Sequence, residues 1–221
     1  MGQRFLRKDI ETVFKKSGKA SWRRWRRCLK SKQDSVDYAD KVDRLNDLYE
    51  LDNQGYIDLF FGDEAGFSFN LNVPYGWQFA DEPIRILPQR GKQVNVLGFI
   101  KSTGDQVPTF SKEGRVKAEF VIEAINFWRT SLSKPTVLVL DNARIHRSTL
   151  VKDCLADWET QHLYVFFLPA YSPHLNRIER LWLMTKQHWL KPSDYTDLAT
   201  LKSALTKIWA SFGDKVHIKF S

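Results

Sequence analysis

Residues 136 to 141 read TVLVLD, an unbroken run of apolar and β-branched side chains that ends in an acid. Such continuous hydrophobicity is typical of a strand that is buried on both faces of a sheet, as the parallel strands of α/β domains are. We therefore predict a central strand over residues 136–140, with Asp141 at its carboxyl end.

A second stretch, IDLFFGD at residues 57–63, has the same form, within a predicted strand that continues to residue 67. Alternation along a strand places Asp63 on the same face as Leu59 and Phe61, and Glu64 on the opposite face. If the two strands are parallel neighbours, their aspartates emerge together at the carboxyl edge, where open α/β sheets bind their ligands.

A third acid, Glu179, stands in LPAYSPHLNRIERLW, residues 168–182. This stretch follows directly from a predicted strand over residues 163–170 and enters a predicted helix over residues 175–190. A helix that starts beside the carboxyl edge of the sheet can direct one glutamate toward the two aspartates.

Three converging carboxylates repel one another unless a cation lies between them or one of them is protonated. Hard divalent ions such as Mg²⁺ take oxygen ligands of this kind. Two such ions can clamp a phosphodiester for in-line attack. The residues therefore predict a metal site at Asp63, Asp141 and Glu179, with two Mg²⁺ ions and with Mn²⁺ as a substitute.

Each acid also has an ordinary explanation when it is taken alone. Asp141 with Asn142 could form an Asx turn, and Asp63 could be a strand-end turn residue. Glu179 could be one partner of a surface ion pair with a neighbouring arginine. The equivalent positions of all three acids on one predicted sheet favour a shared site.

The remaining pattern completes an α/β order. A linking helix over residues 34–54 comes first, and three strands, predicted to form a meander, are followed by alternating helices and strands, in the order βββαβαβαα. The remaining predicted elements are strands at 68–79 and 92–103 and helices at 115–132, 148–161 and 194–212.

The positive charge is concentrated at the amino-terminal end. Residues 1–32 hold twelve Lys and Arg against Asp9 and Glu11, a net charge of +10, which leaves −2 of the total +8 for the rest of the chain. Five of these cations lie within SWRRWRRCLK, residues 21–30, and a sixth lies two residues after it; the tryptophans of this stretch could pack on the domain or stack on DNA. We predict that this basic helical arm binds DNA through Arg23, Arg24, Arg26, Arg27, Lys30 and Lys32.

Several functions are excluded or disfavoured. No apolar run approaches the roughly 18 residues of a membrane span, and MGQRFLRKDI has no apolar signal region. The motifs of P-loop, dinucleotide-binding and α/β-hydrolase proteins do not occur. We therefore expect a cytoplasmic protein without a membrane partner or a nucleotide cofactor.

Three motifs occur in a familiar order: FGDEAGF, LDNARIHRS and LPAYSPHLNRIERLW. They resemble those of the Asp-Asp-Glu transposases of the mariner-type superfamily, especially the bacterial insertion-sequence 630 branch, and the resemblance covers about residues 56–190. It implies a ribonuclease-H-like mixed sheet flanked by helices, with a catalytic domain over residues 56–221 and a basic arm and linker over residues 1–55.

The resemblance also implies an activity. Asp63, Asp141 and Glu179 fall on the metal-binding acids of the family, which cleaves and joins DNA strands in cut-and-paste transposition. The implied partners are transposon ends and target DNA, bound by a homodimer, and the implied location is the bacterial nucleoid.

The chain departs from the family pattern in three ways. The 37 residues between Asp141 and Glu179 slightly exceed the usual spacing, and Arg177 replaces a proline that is common two residues before the glutamate. Only about 55 residues precede the first strand, where the family carries paired helix-turn-helix units. The alternative hypothesis is therefore a truncated, non-catalytic DNA-binding or assembly relic.

Three polar residues near the acids could support them. Asn142 could orient a carboxylate or cap a turn, whereas for Asn176 we favour capping. His146 could contact a phosphate or a metal-bound water, or it could be a structural turn histidine.

Overall fold

The computed structural model describes residues 34–68, 81, 93–213, 216 and 218–220. The chain divides between Lys32 and Gln33, and every described residue belongs to the second unit. The predicted basic arm, with its six named cations, lies outside the described residues, as does nearly all of the strand predicted over residues 68–79.

Five strands form one mixed sheet in the order β3-β2-β1-β4-β5. β1 pairs antiparallel with β2, and β2 with β3, whereas β1, β4 and β5 run parallel. The strands are β1 (Asp58–Ser68), β2 (Gln93–Lys101), β3 (Thr109–Glu113), β4 (Thr136–Leu140) and β5 (Leu163–Phe167).

The helices lie between and after the strands much as the sequence predicts. They are α1 (Ser35–Asn53), α2 (Ala118–Arg129), α3 (Thr149–Thr160), α4 (Ile178–Met184) and α5 (Leu198–Ala210). Side chains of Asp34, Ser148 and Asp197 accept backbone N–H groups at the starts of α1, α3 and α5, which is why these helices begin where they do.

Alternation along the strands builds a core on each face of the sheet. Leu59, Phe61 and Phe67 of β1 pack with α1, α4 and α5, whereas Phe60 packs with α2 and α3. Leu45 of α1 is 3% exposed within the first core. The predicted linking helix therefore shares the core of the sheet.

Three details differ from the sequence-based predictions. Strand β3, which completes the meander of β1 and β2, was not among the predicted strands. It is a short edge strand with one large apolar residue, Phe110, and it therefore has little apolar alternation. The helix predicted over residues 175–190 is divided into a 3₁₀ turn (Pro173–Leu175), α4 and a π-helical turn (Thr185–Trp189). Strand β4, which we predicted to be central, is fully buried and has a neighbour on each side, but the middle strand of the sheet is β1.

Candidate active site

The two aspartates leave neighbouring parallel strands at the same level. The register of β1 and β4 pairs Gly62 with Leu140, so Asp63 and Asp141 are the next residues on each strand. The predicted parallel neighbourhood is therefore confirmed. Beyond this point β4 ends, while β1 continues to Ser68 against β2.

Helix α4 brings Glu179 to this edge through a close approach to the sheet. Gly98 of β2 lies opposite Asp63, and a Cβ at Gly98 would come within 2.7 Å of the Trp182 ring. The absence of a side chain at Gly98 thus lets Trp182 of α4 lie against the strand pair that carries Asp63. Glu179 stands in the first turn of α4 and is exposed.

Asn176 ties the start of this helical segment to β1. Its side-chain amide donates to the carbonyl of Gly62 at 3.1 Å, directly before Asp63, and the residue is 3% exposed. Asn176 is the C-cap residue of the 3₁₀ turn, where its backbone N–H donates to the Pro173 carbonyl, but its side chain makes no cap hydrogen bond. Its contact is with the backbone of the strand that carries the first acid.

The carboxylates act on one another electrostatically. Burial, followed by the charges of Glu64 and Asp141, raises the pKa of Asp63 from 3.8 to about 8, and Glu179 adds a smaller effect in the same direction. Although the Glu179 residue is exposed, partial burial of its carboxyl group, together with the charge of Asp141, raises its pKa, and the charge of Lys186 opposes this effect. The three predicted acids therefore share one field, and Asp63 experiences it most strongly.

Lys186 is a cation that the sequence did not reveal at this site. It belongs to the π-helical turn after α4, and its Nζ lies 5.3 Å from the centroid of the Phe67 ring. Burial lowers the pKa of Lys186, whereas the charges of Glu179 and Asp63 raise it. Lys186 thus provides positive charge beside two of the acids.

His146 bridges two carboxylates from within the core. The side chain is fully buried, with Nδ1 2.7 Å from Asp141 Oδ1 and Nε2 3.1 Å from Glu64 Oε1. Both neighbours are acceptors when ionised, so the ring satisfies both only as an imidazolium that donates from each nitrogen. Although burial opposes protonation, the hydrogen bonds and charges of the two acids raise the pKa of His146 to about 10.

The same bridge favours the ionised form of Asp141. Burial alone would raise the pKa of Asp141, but hydrogen bonds from His146 and the Ala143 N–H, with the His146 charge, lower it. The Ala143 N–H donates to Asp141 Oδ1 at 3.0 Å, which is the contact of an Asx turn, the ordinary alternative for this residue. Asp141 therefore makes the ordinary turn contact while it also belongs to the acidic cluster.

Asn142 lies beside the cluster but makes a different contact. Its side-chain oxygen accepts from Arg147 Nη1 at 2.9 Å. Asn142 and Arg147 line a surface hollow together with Arg144 and Lys152. The carboxyl edge of the sheet thus carries exposed cations next to Asp141, in addition to those predicted in the amino-terminal arm.

As the side chains stand, the described part of the chain contains no group of three or more His, Cys, Asp or Glu residues close enough to hold a metal ion. None of the described helices is both long and apolar enough to span a membrane.

Sequence reasoning missed the partners that surround the three acids. Alternation along β1 predicts Glu64 on the face opposite Asp63, which is where it meets His146, but nothing in the local pattern indicates that pairing. Lys186 lies seven residues after Glu179, two turns along the same helical segment, and this spacing was the available signal.

Comparison with known proteins defines the class of this fold and site. Residues 58–202 match the family described as DDE superfamily endonuclease, and the chain belongs to that family. This confirms the family resemblance that the three motifs carry.

Particular relatives agree with this assignment. The chain is 26% identical over 126 residues to the "Insertion element IS630 uncharacterized 39 kDa protein" of Shigella sonnei, covering 56% of this chain and 36% of that protein. The fold matches a mariner Mos1 paired-end complex with Mg (TM-score 0.63, 18% identity, 95% of this chain, 65% of that one). It also matches a Mos1 strand transfer complex (TM-score 0.59, 18% identity, 92% and 62%).

These matches confirm the predicted ribonuclease-H-like mixed sheet. The chain spans about one third of the length of the bacterial relative and less than two thirds of the Mos1 chains.

Proposed function

We propose that this chain carries the DNA-cleaving and strand-joining centre of a cut-and-paste transposase, with Asp63, Asp141 and Glu179 as its catalytic acids. The observation that carries the proposal is that Asp63 and Asp141 leave adjacent parallel strands at the same level, beside the helix whose first turn holds Glu179. Burial, followed by the charges of Glu64 and Asp141, also raises the pKa of Asp63 to about 8, and acids with perturbed pKa values cluster at functional sites.

The donor set fits a hard divalent cation. Asp63 and Asp141 leave adjacent parallel strands, Glu179 approaches on α4, and all three offer carboxylate oxygens, the ligands that Mg²⁺ and Mn²⁺ prefer. Binding requires the three side chains to draw closer together than they stand here. When bound, two Mg²⁺ ions would activate the attacking oxygen and stabilise the leaving oxygen.

The reaction needs no other source of energy. Water attacks a phosphodiester at the element end, the bond from phosphorus to the 3′ oxygen breaks, and a 3′-hydroxyl is released. That hydroxyl then attacks a phosphodiester of the target, forming one ester bond as another breaks.

The protein side chains hold the acids for this chemistry. His146 keeps Asp141 ionised and fixes its orientation through the 2.7 Å hydrogen bond, which makes it a positioning residue of the kind that supports metal ligands. Lys186 offsets the charge of Glu179 and Asp63 before metal binds. Asn176 holds the start of the α4 segment against the backbone beside Asp63.

Nicking of supercoiled plasmid in the presence of Mn²⁺ tests this proposal directly. Metal-dependent conversion of supercoiled to open-circular plasmid supports it. Retained DNA binding without cleavage at any metal concentration would instead favour the non-catalytic relic.

Divalent metal is expected to stabilise the folded protein. An ion present at about 100 times its Kd adds about 2.7 kcal/mol, which corresponds to a rise of about 5–10 °C in Tm for a chain of this size. Thermal melts with chelator and with Mg²⁺ or Mn²⁺ measure the effect, with Asp63→Asn as the matched variant.

The Asp63→Asn variant also shows how the charge of Asp63 affects the stability of the folded protein. Because its folded pKa is raised, Asp63 stabilises the protein at low pH, and that contribution is lost as pH rises from about 4 through about 8. In chelator at pH 8, Asp63→Asn should therefore be more stable than the wild type, and it should gain less from metal. Equal metal-induced shifts for both proteins would show that the acids form no metal site.

DNA is expected to bind mainly through the arm cations Arg23, Arg24, Arg26, Arg27, Lys30 and Lys32, with little sequence preference. Replacing all six by glutamine should weaken binding at least about tenfold on every duplex. The log–log salt slope should become shallower by about 0.9 for each DNA phosphate that the arm no longer neutralises. Fluorescence anisotropy on unrelated duplexes across a salt series measures both effects.

The comparison variant neutralises three cations of the catalytic domain, Arg144, Arg147 and Lys152, which lie together beside Asp141. Per cation removed, this triple variant should weaken DNA binding less than the arm variant does. The opposite ranking, or tight and salt-insensitive binding to one duplex alone, would place recognition in the catalytic domain.

A further inference from the structure

Arg177 lies two residues before Glu179 and contacts several parts of the fold. Its guanidinium carbon lies 4.3 Å from the ring centroid of Tyr49, 4.7 Å from that of Phe220 and 5.8 Å from that of Phe61. One guanidinium nitrogen donates to the carbonyl of Ser102. We call this arrangement the Arg177 clasp.

The three aromatic partners of Arg177 come from separate parts of the domain. Tyr49 belongs to α1, Phe61 to the middle strand β1, and Phe220 to the carboxyl-terminal segment. A guanidinium can join them because its faces stack on aromatic rings while its edge donates hydrogen bonds, which a lysine ammonium cannot do at once.

Ser102, which accepts the hydrogen bond from Arg177, is itself held by hydrogen bonds. The backbone N–H of Ser102 donates to the carbonyl of Leu59 at 2.8 Å, and its hydroxyl donates to Asp52 at the end of α1. Asp52 also accepts the backbone N–H of Leu59 at 3.0 Å. The clasp therefore attaches to a hydrogen-bonded junction between α1, β1 and the end of β2.

The carboxyl-terminal segment is anchored on the same side. The Ile218 N–H donates to the carbonyl of Gly104 at 3.0 Å, and Ile218 is 4% exposed within the core. Two residues later, Phe220 lies over the guanidinium. The carboxyl-terminal segment thus contacts Arg177, the N-cap residue of α4.

We propose that Arg177 is a positioning residue, whose clasp sets the place of Glu179 relative to Asp63, with Phe220 covering it from the carboxyl-terminal segment. Arg177 is the N-cap residue of α4, and Glu179 follows in the first turn. Asn176, next to Arg177, bonds the backbone beside Asp63. Two successive residues therefore tie the Glu179 helix to the strand that bears its partner acid.

This inference rests on the proposed function, since Glu179 is there a metal-binding acid. Loss of a residue that supports metal ligands typically lowers metal affinity or activity by about 10- to 100-fold. Arg177→Gln should weaken Mn²⁺ binding about tenfold and lower kcat for plasmid nicking, with KM for DNA changed less than about twofold. Arg177→Lys should retain the charge and still show most of the loss.

The experiment uses the full chain and two readouts. Mn²⁺ affinity is measured by the electron paramagnetic resonance of free Mn²⁺, and hydrogen exchange of residues 178–184 is followed without metal. Phe220→Leu keeps the guanidinium and should give a smaller change in the same direction. The control is Arg180→Gln. Arg180 is an exposed arginine of α4, three residues after Arg177, and this variant should match the wild type in both readouts.

The outcomes separate the two proposals. If Arg177→Gln fails to fold, Arg177→Lys and Phe220→Leu carry the test. Wild-type Mn²⁺ affinity in both of these, or hydrogen exchange of residues 178–184 equal to that of Arg180→Gln, overturns the clasp. Failure of the wild type to bind Mn²⁺ overturns the metal site instead. The hydrogen exchange of residues 178–184 in the Arg177 and Phe220 variants, compared with Arg180→Gln, still tests whether the clasp positions α4.

Discussion

Replacing Asp63 or Asp141 by asparagine, or Glu179 by glutamine, is expected to lower the rate of Mn²⁺-dependent plasmid nicking by roughly a thousandfold. Metal ions stabilise transition-state charge by several kcal/mol, and each 1.36 kcal/mol is a factor of ten in rate. The amide variants keep the size of each side chain and remove the anionic oxygen. Single-turnover nicking, with DNA binding measured in parallel, tests this prediction.

The matched control is Glu123→Gln, an exposed glutamate of α2 on the other side of the sheet from α4. It removes one negative charge without touching the acidic cluster, so it should nick at the wild-type rate. Nicking at an undiminished rate by a folded Asp141→Asn protein would contradict the assignment of the acids.

Fold stability must be measured for each variant, because the three acids have different surroundings. Asp63 is destabilising when ionised, since burial and three carboxylates oppose its charge, and Asp63→Asn should fold well. Asp141 instead accepts a hydrogen bond from buried His146, and Asp141→Asn weakens that bridge. A loss of activity in Asp63→Asn is therefore the cleaner evidence for a catalytic role.

The parallel pair at the centre of the site could be predicted because its information is local. In each strand a run of apolar residues leads up to an aspartate, and a strand with such a run is typical of a sheet that is covered on both faces. If the two strands are parallel neighbours, both aspartates lie at the same edge of the sheet. The pairing of Gly62 with Leu140 confirms this.

The side-chain partners could not be predicted because they depend on contacts between distant residues. His146 meets Glu64 across 82 positions, and Asn176 reaches Gly62 across 114. Strand β3 escaped prediction because a half-exposed edge strand needs no regular apolar pattern. The spacing from Glu179 was a signal for Lys186, but the π-helical turn that carries Lys186 could not be predicted from the local pattern, although such turns are frequent at functional sites.

His146→Gln is expected to lower the free energy of unfolding by about 2 kcal/mol near pH 6. Removing one partner of a fully buried ion pair costs about 3–5 kcal/mol. A smaller loss is expected here, because the Asp141 side chain is 41% exposed and the Glu64 side chain 18%. Glutamine can donate one hydrogen bond but carries no charge, so it leaves two carboxylates facing each other.

The pH dependence identifies the cause of that loss. Because the folded pKa of His146 is raised from 6.5 to about 10, its stabilising contribution is complete below pH 6.5 and disappears as pH rises through 10. The difference between wild type and His146→Gln should therefore be largest near pH 6 and shrink steadily toward pH 10. Urea unfolding in chelator at several pH values measures it, with exposed His188→Gln as the control. A difference that does not change with pH would mean that the bridge is held by packing, and that His146 is neutral beside Asp141.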